Sequence, residues 1–494
     1  MRAYLLKLKG KEIFIMGKIR TRFAPSPTGY MHIGNLRTAL YAYLIAKKDD
    51  GDFILRIEDT DQGRLVEGAV DIIYNTLKQC GLQHDEGPDV GGNYGPYVQS
   101  ERMKAGIYHD YAHQLVEMGK AHYCFCKEED IEAQRKAQGD SFYFVDPCKL
   151  LSKQEIDQKI ANGEPYVIRL NVESEGTTSF TDEVYGTITV ENKTLDEMVL
   201  LKSDGFPTYN FANVIDDHLM DITDVVRGNE YLSSTPKYNL IYEAFGWDIP
   251  RYIHCPPVMK DEHQKLSKRN GDASFQDLLA KGYLPEAVLN YIALLGWAPS
   301  EDREIYSLVE LSKAFDVKRI GTTGAIFDID KLTWMNGVYI RNMKMEDYYE
   351  LVKPYIEETV GKDFNYKLIG NAIHDRINTL SEIKDMITFF NKADEYENDL
   401  FFNKKAKTDP QLAKTILQEV EAALKGCEIW DNENIFNCLS SRAQELGYKN
   451  ITMMYPMQVA LSGRSVAPGG ATAIAEILGK EESLTRIANA LSKM

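Results

Sequence analysis

His32, Gly34 and Asn35 stand together in the run His32-Ile33-Gly34-Asn35. A bare glycine lets a nucleotide lie against the backbone, and a flanking imidazole and carboxamide can donate hydrogen bonds to phosphate oxygens. The common phosphate-loop spellings, GxxxxGK[ST] and GxGxxG, occur nowhere in the chain. Acidic residues follow in Arg56-Ile57-Glu58-Asp59-Thr60-Asp61, at the end of an apolar run. Farther on, Tyr209 and Asn213 are four apart and share one helix face. Arg227 closes the run Val225-Val226, and a lone arginine in that position usually has an anion to meet. The basic stretch 260–271, with Lys265, Ser267 and Lys268, reads by itself as a solvated surface loop.

These groups need a frame. Residues 19–23 alternate like a strand, and residues 35–44 have apolar positions at helical spacing. Between them Pro25, Pro27 and Gly29 forbid regular structure and fix a rigid loop. A second apolar run at 53–57 follows Gly51, so the unit reads strand, loop, helix, strand. Open parallel sheets bind ligands outside the carboxyl ends of their strands, where such a loop meets a helix N-terminus. The expected class is α/β, a Rossmann-like parallel sheet. An α+β insertion from about 101 to 207 carries strand patterns at 166–170 and 186–190. From about 345 nearly every periodic segment repeats at 3.6 residues, with polar interruptions at 391–399 and 403–409.

With 494 residues the chain is too long for one core, so three or four domains are expected. A net charge of −17 argues against non-specific nucleic-acid binding, though a local basic stripe can still track phosphates. Seven cysteines without framework spacing point to a reducing cytosol. No apolar run is long enough to span a bilayer, and the first fifteen residues lack a signal peptide's h-region and cleavage site.

The stretch RFAPSPTGYMHIG at 22–34 resembles the HIGH region of class I aminoacyl-tRNA synthetases, in its bacterial glutamyl form. KLSKR at 265–269 resembles the second mark of that class, the KMSKS loop, and comes in the expected order. The resemblance covers residues 18–494, and an all-helical end sets it apart from relatives that end in β-barrels. It implies activation of L-glutamate by ATP, with Mg²⁺ arriving on the nucleotide, and transfer to the 3′ end of tRNA-Glu. By resemblance His32, Asn35 and Lys268 are catalytic, and Gly34, Lys265 and Ser267 join them around ATP. Arg22, Ala24, Ser26, Glu58, Tyr209, Asn213 and Arg227 line the glutamate pocket. Asn35 replaces the second histidine of HIGH and keeps a donor without the option of positive charge.

The implied division is an extension at 1–17 and a catalytic domain at 18–100 and 208–255. The acceptor-stem insertion is 101–207, a loop and stem-contact domain 256–344, and a helical anticodon-binding domain 345–494. Trp334, in the stem-contact segment, is expected in the core. One branch of the family binds zinc through a CxC pair and a later cysteine. Here Cys124, Cys126 and Cys148 offer three ligands, and neither Leu150 nor Tyr143 completes a set of four, so free thiols and no metal are expected. A cytoplasmic monomer is implied. Two other readings are an inactive RNA-binding relative and a nucleotidyltransferase with a small acceptor. The first would lack His32 or Lys268, and the second has no use for a long helical end.

Overall fold

The strand Arg20–Phe23 lies inside a six-stranded sheet of the computed structural model, which describes residues 17–139, 144–266 and 274–494, and the backbone of 3–8 and 11–16. The spatial order is Asp52–Leu55, Arg20–Phe23, Asp224–Gly228, Arg251–Cys255, Thr177–Asp182, Gly186–Glu191. Each neighbouring pair is parallel except the last, which is an antiparallel hairpin. The chain leaves Arg20–Phe23 for Asp52–Leu55 on one side, and Asp224–Gly228 lies on the other. This reversal opens a crevice at the carboxyl ends of the strands.

The helix Ile33–Lys48 makes the first crossover. It buries Leu36, Leu40, Tyr41 and Leu44, and also Arg37, so it is covered on more than one side. The Arg37 guanidinium donates to the carbonyls of Leu295, at 2.7 Å, and Pro256, while the Tyr41 hydroxyl donates to the Ala293 and Leu295 carbonyls. Both polar tips therefore find carbonyl acceptors where they are buried.

The sheet differs from expectation in one respect. Residues 177–182 and 186–191 were to belong wholly to the insertion, yet Asp182 pairs with Tyr252 and the hairpin extends the main sheet. Thr178, Phe180 and Asp182 are the buried set of an alternating strand, and Phe180 meets Tyr252 edge-on with ring centroids 5.9 Å apart. The local pattern announces a strand but not its distant partner. The rest of the insertion builds an antiparallel sheet from Ala121–Cys124, Val167–Leu170 and Val199–Leu201. Its core residues Tyr108, Leu115, Ile168 and Leu170 pack with Phe211, Ile215, Tyr238 and Ile241 of the helices Tyr209–Leu219 and Thr235–Phe245.

The chain divides into two compact units, 1–277 with 288–328, and 278–287 with 329–494. The second is helical, as the 3.6-residue period predicts, and no strand occurs among its described residues. Its core runs from Ile340 and Tyr348 through Ile416 and Leu439 to Ile474 and Ile487. The polar breaks fall where the sequence places them: Asp409 caps Pro410–Lys425 by accepting from Leu412 N at 2.8 Å, with proline in the first turn. Trp334 is a correction. On the helix Ile329–Asn342 its neighbours Leu332 and Met335 face inward, and Trp334 itself is 47% exposed.

Candidate active site

The loops after the neighbouring strands Arg20–Phe23 and Asp52–Leu55 are stitched together beyond the sheet. Arg56 N donates to Phe23 O and Glu58 N to Pro25 O, both at 3.0 Å, and Val66 N donates to Pro27 O at 3.1 Å. The proline-rich loop is thus held as an extension of the ladder, which is why Pro25 and Pro27, with no N–H to offer, fit it. The helix Ile33–Lys48 starts at its far end. His32 has extended backbone and caps the helix, its Nδ1 accepting from Gly34 N at 3.0 Å. Since Nδ1 is the acceptor, the ring proton belongs on Nε2. A β-carbon on Gly34 would sit 3.2 Å from His32 Nδ1, so any larger residue presses on the ring.

A cleft of about 400 Å³ opens here. Of the residues proposed from sequence, Arg22, Ala24, Ser26, His32, Gly34, Asn35, Glu58, Tyr209, Arg227 and Lys265 all line it. Asn213 does not. It is buried, and its amide donates to Tyr209 O at 2.8 Å and Asn210 O at 3.3 Å, folded back on its own helix. Ser267 and Lys268 lie outside the described residues, as does Tyr143. The described residues on either side of the basic loop reach the cleft. Lys265 and Leu266 line it, and Ser274 forms an antiparallel bridge with His32.

Below the cleft lies an ionic cluster that the sequence does not announce. Arg22 Nε and Nη2 donate to Asp217 at 3.0 and 3.3 Å, and its Nη1 donates to Val226 O at 3.2 Å. Arg56, fully buried, donates to Asp217 at 2.7 Å and to Glu58 at 2.9 Å. Arg102 donates to Asp216 at 2.6 Å, and the Tyr108 hydroxyl and Gln99 amide also donate to that carboxylate. The arginines 22, 56 and 102 thus balance the acids 58, 216 and 217. Burial by itself would raise Asp217, but Arg22 and Arg56 hold it below the ordinary carboxylate value. Glu58 goes the other way: burial raises it, and Arg56 and Arg22 recover only part of the shift.

Arg56→Ala is expected to destabilise the protein by about 3–5 kcal/mol, because it strands the buried Glu58 carboxylate and takes from Asp217 one of its two arginines. Equilibrium urea denaturation measures it. Asp217, depressed in the folded state, stabilises above its unfolded value of about 3.9 and ceases to as pH falls below its folded value.

Arg227 is different. It is 5% exposed, and no carboxylate among the described residues pairs with it. Its guanidinium carbon lies over the rings of Tyr238 at 4.5 Å and Tyr231 and Tyr252 at 5.4 Å. Arg22 lines the same cleft, as the resemblance implies, but Asp217 already neutralises it. Arg227, unlike Arg22, brings to this wall a positive charge that no carboxylate among the described residues pairs.

Residues 18–334 match the model for the catalytic domain of class I tRNA synthetases (E and Q), and residues 347–491 match that of an anticodon binding domain. The chain belongs to the class I E and Q tRNA synthetase family. It is 57% identical over 480 residues to a glutamate–tRNA ligase of Clostridium botulinum, covering 97% of this chain and 99% of that one. It is 56% identical to the glutamate–tRNA ligase of Clostridium tetani, covering 97% and 98%. Among solved structures it superposes on a glutamate tRNA ligase of Elizabethkingia meningosepticum in complex with its amino acid. The TM-score is 0.87 at 35% identity, over 96% of this chain and 99% of that one.

The synthetase also carries a cluster remote in sequence from the cleft residues. Cys124, Cys126, Asp146 and Cys148 bring one ligand atom each to within 4.8 Å of one another. The fourth ligand atom comes from Asp146, not from a residue at the place of Leu150 or Tyr143. Leu150 is 90% exposed and points away from any ligand role. Cys126 Sγ lies 3.8 Å from Cys148 Sγ and 3.6 Å from Asp146 Oδ1. A tetrahedral ion with Zn–S bonds of about 2.3 Å has edges of about 3.8 Å, which the two Cys126 separations match. His122 Nε2 lies 3.0 Å from Asp146 Oδ2, an outer contact of the kind that fixes a ligating carboxylate. The signal was present in the sequence as Asp146-Pro147-Cys148, where the aspartate also caps the turn by accepting from Cys148 N at 2.9 Å.

Proposed function

We propose that this chain is a glutamate–tRNA ligase whose cleft holds L-glutamate beside ATP and passes the glutamyl group to tRNA-Glu. The observation that carries the reading is Arg227, a buried guanidinium without a carboxylate partner among the described residues, lining the same cleft as an acidic residue, Glu58. A ligand with a side-chain carboxylate and an α-ammonium group fits such a wall, and the names of the relatives agree with it.

The reaction runs in two steps. The glutamate α-carboxylate attacks the α-phosphorus of ATP and pyrophosphate leaves; a ribose hydroxyl of the terminal tRNA adenosine then attacks the activated carbonyl. Neither step needs a protein nucleophile, so the residues position reactants and stabilise charge. Arg227 holds the side-chain carboxylate, Glu58 receives the α-ammonium group, and Tyr209, Ala24 and Ser26 shape the pocket. Arg22 sets the floor through Asp217. His32 Nε2–H and Asn35 donate to phosphate oxygens over Gly34. Lys265 and, from the motif, Ser267 and Lys268 meet the departing pyrophosphate. Mg²⁺ arrives with the ATP phosphates. The divisions 18–100, 101–207, 208–255, 256–344 and 345–494 are retained, with the strands 177–182 and 186–191 lent to the catalytic sheet. No helix among the described residues is long and apolar enough to cross a membrane, and none of the seven cysteines is in a disulfide. A cytoplasmic monomer belongs to the same reading, by resemblance to the family.

The test is transfer of labelled glutamate to purified tRNA-Glu. Acid-stable charging that requires ATP is expected; charging with glutamine in place of glutamate would overturn the pocket assignment.

The cysteine–aspartate cluster fits a structural zinc held by Cys124, Cys126, Asp146 and Cys148, tying the strand Ala121–Cys124 to the turn Pro147–Leu150. When bound, the ion supplies cross-linking, not chemistry. Elemental analysis of protein purified without chelators is expected to find about one zinc per chain. Asp146→Ala should lose it and lower the melting temperature. Metal-free protein with an unchanged melting temperature in the variant would refute the assignment.

A further inference from the structure

Arg227 is held from behind by a buried relay that the two steps above do not use. His254, fully buried on the strand Arg251–Cys255, stands opposite Arg227 in the parallel register. Its Nδ1 lies 2.6 Å from Asp182 Oδ2, which also accepts from His254 N at 3.1 Å. Asp182 Oδ1 accepts from the backbone of Val184 and Tyr185, both at 2.9 Å. The carboxylate is therefore fixed by backbone donors on one oxygen and by His254 on the other. An acceptor so placed puts the imidazole proton on Nδ1 and leaves Nε2 a lone pair. Burial lowers the His254 pKa and Arg227 lowers it further, against the Asp182 hydrogen bond, so the ring is neutral.

That lone pair faces Arg227. Arg227 Nε donates to His254 Nε2 at 3.2 Å, and Nη2 donates to Thr235 Oγ1 at 3.1 Å. The single Thr235 hydroxyl proton goes to Tyr231 O at 2.8 Å, so its oxygen is an acceptor for the guanidinium. A guanidinium has five N–H donors. The two contacts use the donors on its inner edge and leave the outer ones toward the cleft that Arg227 lines.

We propose that Asp182 and His254 are positioning residues for glutamate selection: they fix the plane of the Arg227 guanidinium without spending charge on it. A carboxylate at the place of His254 would hold Arg227 as well but would neutralise it, as Asp217 neutralises Arg22. A neutral acceptor keeps the full positive charge for the substrate. A pocket that reads a side-chain carboxylate needs both rigidity and charge, because a misplaced fork makes one hydrogen bond where it should make two. This rests on the assignment of Arg227 to the glutamate side chain.

The test compares His254→Gln, His254→Asn and His254→Leu by ATP–pyrophosphate exchange with tRNA present, alongside thermal denaturation. The glutamine amide reaches the place of Nε2 and can accept from Arg227 Nε, whereas the asparagine amide reaches only the place of Nδ1. His254→Leu and His254→Asn are expected to raise the KM for glutamate about ten- to a hundredfold while the KM for ATP stays within about twofold. His254→Gln should recover most of that loss. Thr235→Val, which removes the second tether and keeps the side-chain shape, should raise the same KM in the same direction. A melting temperature lowered equally in Gln and Asn variants, with the glutamate KM equal in both, would overturn the proposal. So would an unchanged glutamate KM in Thr235→Val and His254→Leu together. Exchange by the unsubstituted enzyme that does not depend on glutamate would instead overturn the assignment of the cleft itself.

Discussion

Arg227→Leu is expected to lower kcat/KM for glutamate by about 10²–10³-fold, with the KM for ATP nearly unchanged. Truncating one partner of a buried, hydrogen-bonded charge pair costs about 2–5 kcal/mol, and each 1.4 kcal/mol is tenfold. The setting favours the upper part of that range. Arg227 is almost fully buried, surrounded by three tyrosine rings, and unopposed by any carboxylate among the described residues. Without it, the substrate's side-chain carboxylate must give up its water with nothing to replace it. Glutamine carries no such charge, so its weak activation should fall far less and the preference for glutamate should shrink. Arg227→Lys is not a rescue. An ammonium group cannot reach His254 and Thr235 while presenting a planar fork to the ligand. Exchange kinetics on both amino acids measure this directly, and an equal loss for the two would contradict it.

The second large effect is expected at His32. His32→Ala should slow glutamate activation by about 10²–10³-fold, the range for removing one donor aimed at developing charge. The same change removes the helix cap that Nδ1 makes to Gly34 N. Loss of a cap costs stability of about 0.5–2 kcal/mol. That is too little to unfold a chain of this size, so stability loss does not account for the expected loss in rate. His32→Asn separates the roles. Its short side chain can accept from Gly34 N and restore the cap, but places no donor where Nε2 was. Stability should recover and the rate should not. If both recover, His32 is a capping residue only.

Much of this was legible in the sequence because it is local. The strand–loop–helix unit at 19–44, the histidine and glycine at the helix start, and the polar breaks at 391–399 and 403–409 all follow from neighbours within a few residues. Arg227 was legible as an arginine closing an apolar strand. What escaped depends on pairings across the chain. Asp217 lies 195 positions from Arg22, and a helix bearing Asp216-Asp217 among apolar residues was the only hint that buried acids awaited arginines. The relay from Asp182 to His254 spans 72 positions and depends on the strand Thr177–Asp182 joining the main sheet. Asn213 was placed on the correct helix face by its spacing from Tyr209. A short amide can bond its own helix, however, and spacing does not say which partner it takes. Asp146 escaped for a different reason: the resemblance points to a histidine after Cys148 and gives no weight to a carboxylate two residues before it.

Pyrophosphate exchange measured with glutamate and with glutamine, tRNA-Glu present throughout, addresses most directly the claim that one uncompensated guanidinium chooses the acidic amino acid. Exchange should be supported by glutamate, with glutamine lower by at least about 10³-fold, the scale set by a buried charge left unpaired. Comparable exchange with glutamine would mean that Arg227 does not read the side chain, and the account of this cleft would fail.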